Sequence, residues 1–373
     1  MKRVLRAGVI GCGYWGPNLI RNFLHNDQST VTAVSDALPE RSAKLARLHG
    51  IGMSTADPME LIRSNDVDLV VVATPARSHA DLAKAAILAG KHVLITKPMT
   101  TSVAEAEELL YLADREGVVV AVDHTFVYTG AVRKMRDLVT SGALGELFYV
   151  DSVRINLGLF QSDVNVIWDL AAHDVSIIDY LVGGVMPTHV SAVAAAHAGS
   201  RVENIAYLTL RYGASVIAHV HVNWLAPAKI RRTIVGGSKQ MIVYDDMQPS
   251  EKLMIYDKGV TISPGADPQR LYNEMVSYRS GDVLAPRIDD REALSVEVTE
   301  IIDRILHGGP LSADGESGLR IVRVLDAAAR SARFGSHPND LRDGTHPRAP
   351  LRIMPGGTDV DDPDDVEQTV TVG

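Results

Sequence analysis

The sequence predicts two joined units: an α/β N-terminal domain on a parallel sheet, then an α+β domain with a large open, mostly antiparallel sheet. Three observations carry this expectation. Over the first 125 residues short apolar runs alternate with helix-patterned segments, the pattern of strands buried on both faces and joined by crossover helices. Between 188 and 246 several segments instead alternate apolar and polar residues with period two, as in a sheet with one packed and one open face. The length, 373 residues, exceeds what one core usually organises.

In chain order, a strand is predicted from Val4 to Ile10, a helix after Pro17 and a second strand at 30–36. Apolar runs at 68–75, 91–98 and 118–125 continue the sheet, with helices at 78–90 and 103–116 between them. These place the first domain at 1–125. The second, 126–337, holds a helix at 131–142, a strand at 146–156, an almost wholly apolar helix at 164–181, strands at 188–197, 204–212, 214–224, 231–236 and 239–246, and helices at 295–306 and 316–332. From Pro338 to the end, Pro, Gly and Asp dominate, and a loosely held tail is expected.

The first strand runs into G-C-G-Y-W-G, Gly11 to Gly16, and a helix follows at once. That order gives the Rossmann, dinucleotide-binding reading its weight. Gly11 permits a tight turn, Gly13 close approach of a pyrophosphate, and Gly16 close packing of helix on strand, with Tyr14 and Trp15 in the same loop. The second strand ends in Asp36, whose carboxylate suits the adenosine ribose hydroxyls and repels a 2'-phosphate. NAD is therefore expected over NADP, although Arg41 stands near enough to soften the distinction.

Ligands of such a sheet collect beyond the carboxyl ends of its strands. Thr74-Pro75, Thr96-Lys97-Pro98 and Asp123-His124 fall there. Lys97, held next to a proline, reads as an amine that hydrogen-bonds a substrate oxygen and assists proton transfer; the alternative is a surface lysine opening a loop. In W-D-L-A-A-H-D, Asp169 and His173 lie four residues apart in apolar surroundings. Such a carboxylate can orient an imidazole; the pair reads either as a proton-transfer wall or as ordinary core partners.

Together these segments resemble the Gfo/Idh/MocA family of glucose-fructose oxidoreductases and inositol dehydrogenases. The likeness rests on G-C-G-Y-W-G at 11–16, A-T-P at 73–75 with His79, A-G-K-H-V-L-I-T-K-P at 89–98 and W-D-L-A-A-H-D at 168–174, and spans about residues 4–335. It implies cofactor contacts at Thr74, Pro75, His79, Thr96, Lys97 and Pro98. It implies His173 as general acid or base, Asp169 as the residue that binds or orients substrate, and Lys97 as its helper. Thr96 departs from the family pattern, which commonly has glutamate there. The resemblance also implies dimers or tetramers built on the second-domain sheet.

The substrate positions expected are Lys97, His124, Phe126, Arg154, Asn156, Gln161, Asn165, Asp169 and His173, a set suited to a hydroxyl-rich ring. The function expected is an NAD(P)-dependent oxidoreductase interconverting a secondary alcohol and a ketone on a sugar or nucleotide-linked sugar. A cyclitol dehydrogenase, a non-catalytic NAD-binding regulator, and an enzyme that retains and recycles its NAD are the competing readings. The balance of 37 basic and 46 acidic residues, net -9, argues against nucleic acid. No apolar run reaches the roughly 20 residues of a membrane span. Cys12 is the single cysteine, which fits a reducing, cytoplasmic setting. No metal is expected; His219 and His221 alternate on a strand without further ligands nearby in sequence.

Overall fold

The computed structural model describes residues 4–158, 164–257, 259–262, 276–279 and 281–342. Its first sheet contains β1 (Leu5–Ile10), β2 (Ser29–Ser35), β3 (Met53–Thr55), β4 (Leu69–Val72), β5 (His92–Thr96) and β6 (Val120–Asp123), in the order β3-β2-β1-β4-β5-β6. Every pairing is parallel. The order reverses between β1 and β4, and that switch point opens a crevice at the strand carboxyl ends. The connecting helices are α1 (Gly16–His25), α2 (Pro39–His49), α3 (Pro58–Arg63), α4 (His79–Leu88) and α5 (Val103–Glu116).

Local chemistry explains their limits. Pro17 stands in the first turn of α1, where a missing N–H costs little, and Leu19, Ile20 and Phe23 bury one stripe of it. The Ser102 hydroxyl accepts from the Glu105 N–H to cap α5, which stops at Gly117 in the left-handed conformation.

The second sheet has nine strands: β7 (Leu147–Leu157), β8 (His189–Ala195), β9 (Ile205–Tyr212), β10 (Val216–Asn223), β11 (Leu225–Gly237), β12 (Met241–Asp245), β13 (Leu253–Tyr256), β16 (Val283–Leu284) and β17 (Asn339–Asp340). A separate antiparallel pair is formed by β14 (Gly259–Ile262) and β15 (Val276–Arg279). The large sheet is antiparallel except where β10 runs parallel to β7. Helix α6 (Gly130–Thr140) and α7 (Ala172–Val182) cover one face. The other face leaves Phe148, Val193, Tyr207 and Ile217 exposed.

Two later helices return to the first domain. Leu294, Val298, Ile301 and Ile302 of α8 (Ala293–His307) join the core of β1 and α1. On α9 (Gly315–Arg333), Leu319 and Val322 pack with α5 while Ile321, Val324 and Leu325 pack with the second-domain core. The cut at residue 126 thus separates the sheets but not the helices. The start of the expected tail is also ordered, since β17 pairs with β8 and Asn339 Nδ2 donates to the Ala327 carbonyl; residues 343–373 lie outside the described set.

One helix departs from expectation in kind. The predicted segment 164–181 opens as a π-helical turn, Ile167–Ala171, before α7 begins. A π turn widens the backbone, so side chains four apart no longer stack as on an α-helix.

Candidate active site

A cleft of about 1310 Å³ runs from the glycine loop to the second-domain sheet. At its first end the three glycines do different work. Gly11 has φ +101°, and a Cβ there would lie 2.4 Å from the Ala73 carbonyl; a Cβ on Gly16 would lie 2.0 Å from the Gly11 carbonyl. Both are demanded by the chain itself. At Gly13 a Cβ would meet nothing within 4 Å, so no protein atom needs that glycine, and the vacant volume borders the cleft. No side chain caps the start of α1; Pro17 has no N–H and the Asn18 N–H donates to the Trp15 carbonyl at 3.0 Å, which leaves the Gly16 N–H for an anion.

Asp36 lies beside this loop. Its Oδ2 accepts from the Cys12 N–H at 2.7 Å and its Oδ1 from the Leu38 N–H at 2.9 Å. Each oxygen keeps a second lone pair for a ribose hydroxyl. Asp36 and Arg41 both line the cleft. These features fit a dinucleotide, with Gly13 leaving the room a pyrophosphate requires.

Among the strand-end residues, Tyr14, Trp15, Thr74, Pro75, Thr96 and Lys97 line the cleft. His79 and Pro98 do not. The buried His79 ring places Nδ1 2.8 Å from the Pro98 carbonyl and Nε2 2.8 Å from the Thr74 carbonyl. It braces two strand ends, and its effect on a cofactor is indirect. At the end of β6 the cleft residue is Asp123, not His124. Asp123 Oδ2 accepts from the Trp15 indole N–H, while His124 is 1% exposed with both ring nitrogens unpartnered. Burial, with Lys97 adding to it, pushes the His124 pKa down to about 3.

At the far end stand Lys97, Phe126, Asp169 and His173, joined by Lys229 and Arg231. Lys97 Nζ donates to Asp169 Oδ1 and to the Asp169 carbonyl, each at 2.8 Å. The remaining oxygen, Oδ2, accepts from the Trp224 indole N–H at 3.0 Å. The hydrogen bonds of the Asp169 carboxylate thus go to Lys97 and Trp224 rather than to His173, in keeping with the register shift of the π turn. His173 packs edge-on to Phe126, with ring centroids 5.1 Å apart, and its Nδ1 is buried without a partner. Burial first, then the positive charges of Lys97 and Arg154, holds its pKa well below the usual imidazole range.

Besides His124, three expected substrate residues lie off the cleft lining. Arg154 is buried, its Nε donating to Asp174 Oδ2 at 2.7 Å and its guanidinium stacked on Phe126 at 4.2 Å. With Ser152, which donates to Asp174 Oδ1, it ties α7 to β7. Asn165 bonds Glu203 through Nδ2 and accepts from the Trp168 N–H through Oδ1, fastening the π turn. Asn156 sits half-buried on β7. Gln161 lies outside the described residues. The pair His219 and His221 stacks on Tyr207, with centroids 6.2 and 4.3 Å away.

A cleft built from a glycine loop, a strand-end acid and a lysine–carboxylate pair beside a neutral histidine defines a dinucleotide-dependent oxidoreductase. Residues 5–124 match the Gfo/Idh/MocA model described as an oxidoreductase family with an NAD-binding Rossmann fold, and residues 132–243 match the Gfo/Idh/MocA C-terminal domain. The chain belongs to the Gfo/Idh/MocA family. It is 25% identical over 345 residues to scyllo-inositol 2-dehydrogenase (NADP(+)) of Bacillus subtilis, covering 88% of this chain and 93% of that one. UDP-N-acetylglucosamine 3-dehydrogenase of Acidithiobacillus ferrooxidans is 27% identical over 321 residues, 85% of this chain and 94% of its own. A crystal structure from Magnetospirillum magnetotacticum superimposes with a TM-score of 0.73 at 30% identity, covering 87% of this chain and 99% of that one.

Proposed function

We propose that this oxidoreductase interconverts a secondary alcohol and a ketone on a sugar or nucleotide-linked sugar, with NAD preferred over NADP. The observation that carries the proposal is the joining of Lys97, Asp169 and His173 to the glycine loop in one cleft. The chemistry a bound nicotinamide supplies is two-electron transfer to or from the carbinol carbon. Gly11, Gly13, Gly16 and Asp36 would hold the dinucleotide, with Thr74, Pro75, Thr96 and Lys97 along its path.

In the oxidation direction His173, neutral because it is buried among cations, takes the hydroxyl proton. Lys97, fixed by Asp169, hydrogen-bonds the same oxygen and stabilises the charge that develops there. In the reverse direction the proton returns from the imidazolium to the oxygen. Phe126 offers an apolar wall to the carbon face of a ring.

The NAD preference rests on the carboxylate of Asp36, which opposes a 2'-phosphate. A cyclitol is the second reading, favoured by the inositol dehydrogenase relative that spans 88% of this chain. Self-association through the open sheet face is part of the proposal, supported by the exposed Phe148, Val193, Tyr207 and Ile217. A cytoplasmic setting agrees with one buried, unpaired cysteine. No helix of the described residues is long and apolar enough to cross a membrane.

The test is turnover of a panel of free and nucleotide-linked sugars and inositols with NAD and NADP, followed by absorbance. Reduction of NAD by at least one sugar, abolished in His173→Ala, is the expected result. Turnover unchanged in His173→Ala removes that residue from the mechanism.

A further inference from the structure

The alcohol end of the cleft carries more positive charge than proton transfer requires. Across the β7–β11 pairing Arg231 stands directly opposite Arg154. Both guanidinium groups pack on the same ring, 4.2 Å and 5.5 Å from the centroid of Phe126. Like charges directly opposite on neighbouring strands destabilise a sheet, so this pairing is costly unless something else compensates it. The compensation inside the protein is incomplete. Arg154 spends Nε on Asp174, but its Nη1 is buried without a partner. Arg231 reaches Asp246 through Nη1 at a long 3.3 Å, and its Nε is also buried and unpartnered. Lys229, at the irregularity in β11 just before Arg231, lines the cleft.

We propose that this end of the cleft is an oxyanion subsite: the substrate carries a carboxylate or phosphate group, held by Arg231 and Lys229 with Arg154 behind Phe126. The proposal rests on the sugar-oxidoreductase reading and narrows its substrate class to an acidic sugar or a phosphate-linked one. Guanidinium forks suit both groups because each presents paired oxygens to parallel N–H donors. The chemistry gains from the arrangement. Burial holds the His173 pKa down first, and Arg154 and Arg231 are among the cations that add to it; a bound oxyanion offsets those charges and returns basicity to the imidazole.

The experiment measures binding separately from turnover. Full-length protein saturated with NAD, which blocks the nucleotide end of the cleft, is titrated calorimetrically with D-glucuronate against D-glucose, and with UDP against uridine. At least one charged member should bind ten-fold or more tightly than its neutral counterpart. The pair that shows the preference tells a carboxylate from a phosphate. Arg231→Gln and the more exposed Lys229→Gln should each shrink that preference at least five-fold while leaving NAD affinity within two-fold. Equal affinity within both pairs, no binding of either charged probe, or a preference that survives both substitutions overturns the subsite. If charged probes bind selectively but nothing in the sugar panel is turned over, the subsite stands and the catalytic reading falls. Turnover of neutral sugars without charge selectivity does the reverse.

Discussion

Lys97 Nζ lies 2.8 Å from both the Oδ1 and the backbone carbonyl of Asp169, two contacts on one residue that fix the ammonium at the end of β5. The pair bridges the two domains, since Lys97 follows a strand of the first sheet and Asp169 stands on the π turn leading into α7. With side chains 23% and 17% exposed, it is sheltered enough for geometry to count and open enough to meet a ligand.

Lys97→Ala should therefore lower kcat by roughly 10²–10⁴, the range for loss of a proton-handling or charge-stabilising group. Asp169→Asn keeps an acceptor for the Trp224 indole but loses the charge that holds Lys97, and should cost less, about ten- to a hundred-fold. Steady-state kinetics alongside NAD titration by fluorescence separates the two roles. A loss confined to NAD affinity, with kcat preserved, would sink the assignment of Lys97 to chemistry.

The glycine loop offers a sharper contrast. At Gly13 an added Cβ meets no protein atom within 4 Å, whereas at Gly16 it falls 2.0 Å from a backbone oxygen. Gly13→Ala should fold with an unchanged melting temperature yet bind NAD at least ten-fold more weakly. Gly16→Ala should lose stability by more than the ~1–3 kcal/mol typical of overpacking, because backbone cannot rotate away. Thermal melts with and without NAD check both; full NAD affinity in Gly13→Ala would contradict the pyrophosphate position.

Much of this was legible in the letters, for reasons that differ by element. Buried parallel strands such as L-V-V-V of β4 are apolar on both faces, and the glycines and Asp36 sit at spacings set by local backbone geometry. Lys97, Asp169 and His173 were visible because each interrupts an apolar segment. Asn165 interrupts such a segment equally well, yet its side chain bonds Glu203 and the backbone of the π turn. A single sequence does not tell an inward polar residue with a partner from one awaiting a ligand. Arg231, Lys229 and Trp224 reach the site through the pairing of β11 with β7 and its irregular register after Leu225, which tertiary contacts determine. Asp123 and His124 fall together at a strand end in the sequence, and only the packing of β6 decides that the carboxylate faces the cleft.

Cofactor choice turns on Asp36. Asp36→Asn removes the charge while retaining an amide oxygen that can still accept from one of the two N–H groups it now binds. The ratio of kcat/KM for NADP to that for NAD should rise at least ten-fold, with Arg41 free to meet the 2'-phosphate. A ratio that stays constant, measured at saturating substrate, would remove Asp36 from discrimination.

His124 makes the fold sensitive to acid. Its pKa falls from 6.5 in the unfolded chain to about 3 in the native protein. Between those values the unfolded state binds a proton that the native state refuses, so stability is present above pH 6.5 and is lost as pH falls toward 3. The slope from this one group approaches 1.4 kcal/mol per pH unit. His124→Leu should flatten the decline of melting temperature between pH 6.5 and 4, even if it lowers stability at neutral pH. Parallel curves for the two proteins would show that His124 does not titrate in this way.

Glu297 carries the opposite sign. It is fully buried on α8, and burial first, then the nearby charge of Asp123 and a side-chain hydrogen bond to it, hold its pKa well above the usual carboxylate range. Native Glu297 stays protonated at pH values where the unfolded chain, with a pKa of 4.5, has released the proton. Stability is therefore lost as pH rises above 4.5 toward the native value. Glu297→Met fills similar volume without the titration but gives up the hydrogen bond to Asp123, so the difference in melting temperature between variant and native protein should move in the variant's favour as pH rises from 4.5 to 7. Because Asp123 receives the Trp15 indole in the cofactor cleft, NAD affinity is the second readout. A difference that stays constant across pH would mean that Glu297 does not titrate in this way, whereas a shift with pH accompanied by weakened NAD binding would mean that the buried acid also positions Asp123.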